Sequence, residues 1–146
     1  MSCAGSGALE RMPPAAAARA LPIERGRRVC RPRQRGFLLP EGVIYVGKPT
    51  RWANPFVGRR WGHAKCVKLH RQWLTGEIAA LTLERMEFCP REVDALQRLR
   101  AWTLTNLHRL AGHDLACWCP LNSRWCHADT LLELAPLYAD YERHAA

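Results

Sequence analysis

The chain has 146 residues, 48% of them apolar, with ten glycines and ten prolines, which is the composition of a single globular domain. No stretch approaches the ~18 apolar residues that cross a bilayer and the Ala-rich start lacks the apolar core of a secretory signal, so a helical membrane span is excluded and a cytoplasmic location is expected. The whole net charge of +9 falls in the first 63 residues, since residues 64–146 hold ten basic and ten acidic side chains.

That asymmetry suits a basic face meeting phosphates, with a nucleotide or nucleic acid as partner and no membrane. It equally suits a solvated arginine-biased tail, because nineteen arginines stand against three lysines. Seven cysteines, at 3, 30, 66, 89, 117, 119 and 126, are an odd number in a chain without a secretion signal. A disulfide framework is therefore not expected, and reduced thiols or metal ligation are.

In chain order, residues 1–26 are rich in Ala, Arg and Pro without apolar periodicity and read as a disordered leader, leaving residues 27–146 as one domain. Arg27 to Gly36 alternates basic with other residues, and the turn Leu39 to Gly42 leads into a first strand, Gly42 to Gly47. The loop from Gly47 to Phe56 follows, stiffened by Pro49 and Pro55. A helix is expected over His63 to Leu74, ended by Gly76. Pro90 opens another, with Val93, Leu96, Leu99, Leu107 and Leu110 as its buried stripe before Gly112. A buried strand, Asp114 to Trp118, comes next, then a helix from Ala128 that ends before Pro136, with Leu137 to Ala146 as a short helical extension. Strands alternating with helices predict a small α/β layered fold with a short, partly parallel sheet and flanking helices. Ligands in such folds sit beyond the carboxyl ends of the strands, where both notable loops begin.

The second of those loops gathers most of the reactive chemistry. Along a strand the period of two puts Cys117 and Cys119 on one side and Trp118 on the other, and the loop returns Cys126 and His127 at the helix start. One reading is an activated thiol: Cys126 at a helix N-terminus, His127 or His113 as its base and Asp129 as an orienting carboxylate. Asp129 also fits as an ordinary first-turn acid. The alternative is zinc, held by Cys117, Cys119, Cys126 and His127. Spacing speaks against zinc, because neighbouring positions such as Cys126 and His127 generally point apart. Packing alone is the third reading, since buried cysteine is a common core residue. On the first loop, Gly47, Lys48, Thr50 and Arg51 offer amides, an ammonium, a hydroxyl and a guanidinium suited to phosphate, although the spacing is not that of a Walker motif. Trp118 suits a pocket wall or a stacked base, and Asn54 to Phe56 a cap on the core.

The run Val43-Ile-Tyr-Val-Gly-Lys-Pro-Thr-Arg-Trp-Ala-Asn-Pro-Phe56, followed by Leu115-Ala-Cys-Trp-Cys-Pro-Leu121 and Cys126-His-Ala-Asp-Thr-Leu-Leu-Glu-Leu-Ala135, resembles an uncharacterised bacterial and phage family, domain of unknown function 4326. The resemblance spans Arg27 to about Ala135, with Ala53 where the family usually carries Gly. It implies a fold and a site without an activity. Together the readings lead to a domain that binds a phosphate-bearing ligand, a nucleotide or nucleic acid, beside a Cys/His site. That site is either catalytic or a zinc support for a nucleic-acid-binding module.

Overall fold

Residues 23–58 and 61–145 are described by the structure, a computed structural model. Three short parallel strands, β1 (Arg28–Cys30), β2 (Ile44–Tyr45) and β3 (Leu115–Cys117), lie in the order β1-β3-β2. Among the described residues four α-helices accompany them: α1 (His63–Leu74), α2 (Ala80–Arg85), α3 (Pro90–Asn106), which runs into a 3-10 turn at Leu107–Leu110, and α4 (His127–Ala145). The protein is a small α/β domain. Among the described residues no helix is long and apolar enough to cross a membrane. Most of the expected leader lies outside the described residues.

β3 is the central strand, which is why Leu115, Ala116 and Cys117 are all buried. Arg28 pairs with Leu115 on one side and Ile44 with Leu115 on the other. The ladder continues past β2, as Val46 donates its amide to the Ala116 carbonyl at 2.9 Å. The expected strand Gly42 to Gly47 thus shortens to two fully laddered residues. β1 has no sequence signal of its own, because three residues are too few to show an apolar pattern. It forms because the Leu115 amide reaches the Arg27 carbonyl at 2.9 Å and Asp114 accepts the Arg27 amide at 2.7 Å. Gly26 permits that approach: a Cβ there would stand 1.8 Å from the His113 carbonyl oxygen.

α1 has the expected bounds, and Cys66, Val67, Leu69, His70, Trp73 and Leu74 make its buried face. α3 starts at Pro90, with the Cys89 amide donating to the Glu92 carboxylate at 2.8 Å, and Val93, Leu96, Leu107 and Leu110 are buried as expected, Leu99 partly so. α2 escaped the sequence reading, having six residues of which only Leu83 is buried. α4 departs from expectation most. It runs without a break through Pro136, which cannot donate to the Leu132 carbonyl four residues back. Burial of Tyr138 and Asp140 beyond the proline holds the last turns in place.

The core is centred on Phe56, whose ring meets Trp61, Trp73 and Phe88 at centroid distances of 5.9 to 6.4 Å. Asn54 fixes that ring's backbone, accepting the Phe56 amide at 2.9 Å and donating to the Cys66 carbonyl at 3.0 Å. Asn54 to Phe56 is therefore a structural cap. Ala53 has no positive φ, so Ala serves there as well as Gly.

Candidate metal centre

All three strands point their carboxyl ends to one edge, and the loops that leave them meet there. β3 delivers Cys117, and the bend that follows it brings Cys119 back so that the two sulfurs are 3.9 Å apart. The loop then turns back through a bend in which Ser123 donates to the Pro120 carbonyl at 2.9 Å, bringing Cys126 to the residue before α4 and His127 to its first turn. Cys117, Cys126 and His127 place their donor atoms within 4.8 Å of one another, and all three are buried. The expectation that neighbouring Cys126 and His127 diverge is thereby corrected. Cys126 still has loop geometry while His127 is helical, and the change of direction between them aims both side chains at β3.

His127 has a defined orientation. Its Nε2–H donates to the Val46 carbonyl at 2.8 Å, so Nδ1 faces the sulfurs, 3.9 Å from Cys117. Asp129 partners Arg28 at 3.3 Å instead of orienting the imidazole. His113 lies at the other end of β3, bonded to the Gly42 carbonyl at 2.9 Å.

The three sulfurs differ in charge preference. Cys126 is held far below the ordinary thiol range, at about 3, chiefly by the hydrogen bond from the Cys117 thiol, opposed by burial and reinforced by His127 and the Ala128 amide. Cys117 is pushed up through that same hydrogen bond and by burial, and Cys119 by burial and by the negative charge of Cys126. Without a cation, the three sulfurs can share only one negative charge comfortably.

Three residues outside the expected set complete the surroundings. Arg28 donates to the Leu121 and Ser123 carbonyls at 2.8 Å each and pairs with Asp129, so a single guanidinium shapes the loop beside the site. His63 donates from Nε2 to the Trp125 carbonyl at 2.7 Å and lies 3.9 Å from the Cys119 sulfur. His70 is fully buried with its ring edge-on to His127 at 5.5 Å, and burial keeps it neutral. No local pattern could have revealed these contacts, which join residues 56 or more positions apart in the cases of His63 and Arg28. All six described cysteines carry free thiols.

The Gly47 to Arg51 loop runs from the same edge. Thr50 folds back on it, donating its hydroxyl to the Gly47 carbonyl at 2.7 Å, and Arg51 stretches over the Trp102 ring of α3 at 5.2 Å. Lys48 receives the Tyr45 hydroxyl on its carbonyl at 2.7 Å. Trp118 points away from the sulfurs, toward Tyr45 and Arg31. Beside Cys126 a cavity of about 150 Å³ opens between α1 and α4, with Lys68, Arg71, Arg124 and Trp125 on its walls.

A family profile described as a domain of unknown function (DUF4326) matches residues 29–136, which takes in all three strands and every residue of the cluster. No curated protein and no solved structure matches the chain.

Proposed function

The chain belongs to the DUF4326 family, whose description carries no activity, and from that premise we propose that Cys117, Cys119, Cys126 and His127 form a zinc site. In this reading the site organises a cytoplasmic domain that receives a phosphate-bearing ligand, a nucleotide or nucleic acid, on the same sheet edge. The observation that carries it is the convergence of Cys117, Cys126 and His127, whose donor atoms lie within 4.8 Å of one another, with Cys119 in contact with Cys117. The Cys117 sulfur lies 3.9 Å from that of Cys119 and 3.9 Å from Nδ1 of His127. Tetrahedral zinc with sulfur ligands at about 2.3 Å needs edges of about 3.8 Å. Two further features support the assignment. His127 gives its outer N–H to a backbone carbonyl, as zinc-bound imidazoles do. Arg28 stands beside the thiolates, whose three negative charges exceed the two of zinc.

Cobalt titration tests the ligand set. Addition of cobalt(II) to metal-free protein is expected to give intense tetrahedral bands with sulfur-to-metal charge transfer, displaced by zinc. Pale octahedral cobalt would contradict the site. Cys117→Ser is expected to abolish the charge-transfer signature, while Cys30→Ser leaves it intact.

A second reading has the cavity beside Cys126 and the lowered Cys126 thiol in its favour. There Cys126 is a nucleophile with His127 as its base and Asp129 acting through Arg28. Its weakness is access, because Cys126 is only 1% exposed. It requires a metal-free protein in which Cys126 alkylates before every other cysteine, and in which Cys126→Ser stays folded while losing activity.

A further inference from the structure

We propose that the face of the sheet edge opposite the sulfurs is a stacking platform for single-stranded nucleic acid, with Trp118 holding a base and Arg31, Arg33 and Arg35 the adjoining phosphates. The proposal deepens the preceding reading by naming its ligand class, and it rests on the phosphate-bearing part of that reading.

Trp118 sits between two of the cluster's cysteines, so the backbone that places the sulfurs also fixes the indole, and the period of two turns it outward. Its side is not closed over: Trp118 remains 37% exposed, on a surface cavity of about 480 Å³ lined by Arg33, Gln34, Arg35 and Trp118. That volume accommodates a nucleotide. Tyr45 braces the indole edge-on at 6.1 Å. The Arg31 guanidinium lies over both rings, 4.5 Å from the Tyr45 centroid and 5.1 Å from that of Trp118, and Arg33 lies 5.8 Å from the latter.

Cation–π packing alone would explain one arginine here. It does not explain three without a carboxylate. Among the described residues no acid forms an ion pair with Arg31, Arg33 or Arg35, whereas Arg28, Arg71, Arg98 and Arg143 all have one. The Arg31 Nε is buried without a hydrogen-bond partner. Unneutralised guanidinium groups around a braced, exposed indole are what a strand needs, since every base has a face to stack and every phosphate a charge to meet. A duplex hides its bases from such a platform. Three cations in succession along one segment reach past a single nucleotide, which favours a strand over a free mononucleotide.

The test is fluorescence anisotropy of a labelled single strand of roughly 12 nucleotides, in DNA and RNA versions, against the full chain at low salt. A matching duplex, a mononucleotide competitor and anionic phospholipid vesicles complete the comparison. The single strand is expected to bind more tightly than the duplex and to resist the mononucleotide. Trp118→Ala should weaken binding by roughly five- to 150-fold, with Trp118→Phe restoring most of it. Arg33→Ala should flatten the salt dependence by about one counterion. Zinc content and melting temperature, measured on each variant, separate this platform from the metal centre. Strand binding by a metal-free protein would leave the platform standing and remove the zinc. A zinc-loaded protein that ignores the strand, prefers duplex or vesicles, yields it to a mononucleotide, or binds it equally well as Trp118→Ala would overturn the platform.

Discussion

Arg28 is where one side chain decides the most. It leaves β1, reaches across the sheet edge and satisfies the Leu121 and Ser123 carbonyls while pairing with Asp129. Arg28→Met keeps most of the stem's bulk and removes every donor, so it is expected to cost about 2–3 kcal/mol in urea unfolding of the metal-loaded protein. A loss below about 0.5 kcal/mol, the scale of an exposed substitution, would show that the loop holds itself. The cysteines and His127 were legible in the sequence because their types are rare and close together, and the alternation of Cys117, Trp118 and Cys119 gave their facing. Arg28, His63 and Val46 were not legible, since their part depends on which loop the fold brings beside them. Asp129 and Thr50 illustrate the converse: each has site-like chemistry, and each is already engaged elsewhere, Asp129 with Arg28 and Thr50 with the Gly47 carbonyl.

Elements were readable wherever apolar periodicity was long. α1 and the start of α3 have the expected bounds, whereas the three-residue β1 and the six-residue α2 carry too few side chains for a pattern. β1 is held by backbone pairing with β3, an interaction that residue type scarcely encodes. Pro136 misled for a physical reason, because a missing donor ends a helix only where packing beyond it is weak. The α1–α3 junction shows how tertiary contacts replace local caps. α1 has no side-chain cap at its start, and at its end the buried Arg100 of α3 donates to the Trp73 and Leu74 carbonyls at 2.6 and 3.0 Å. Gly76, at φ +84°, lets the guanidinium in; a Cβ there would lie 3.1 Å from Arg100 Nη2. Arg100→Met is expected to lower stability by about 2–3 kcal/mol, seen as a lower urea midpoint at unchanged zinc content. Gly76→Ala should act in the same direction through its backbone conformation.

At the scale of the whole molecule, three parallel strands bring two kinds of surface to one edge: sulfurs and imidazole on one side of β3, arginines and an indole on the other. This arrangement follows from strand order, which the sequence could suggest but not fix, because β1 and β2 both pair with β3 and leave it in the centre. A zinc ion held as proposed would tie β3 to α4, so removing it should loosen the core. Chelation is expected to lower the melting temperature by on the order of 10 °C, restored on adding zinc back. The most direct measurement is intact mass under native and denaturing conditions, with metal analysis, on protein purified without chelator. One zinc per chain, present natively and lost on denaturation, is the expected result. A metal-free native mass, with Cys117, Cys119 and Cys126 alkylating as free thiols in the folded protein, would contradict the metal centre.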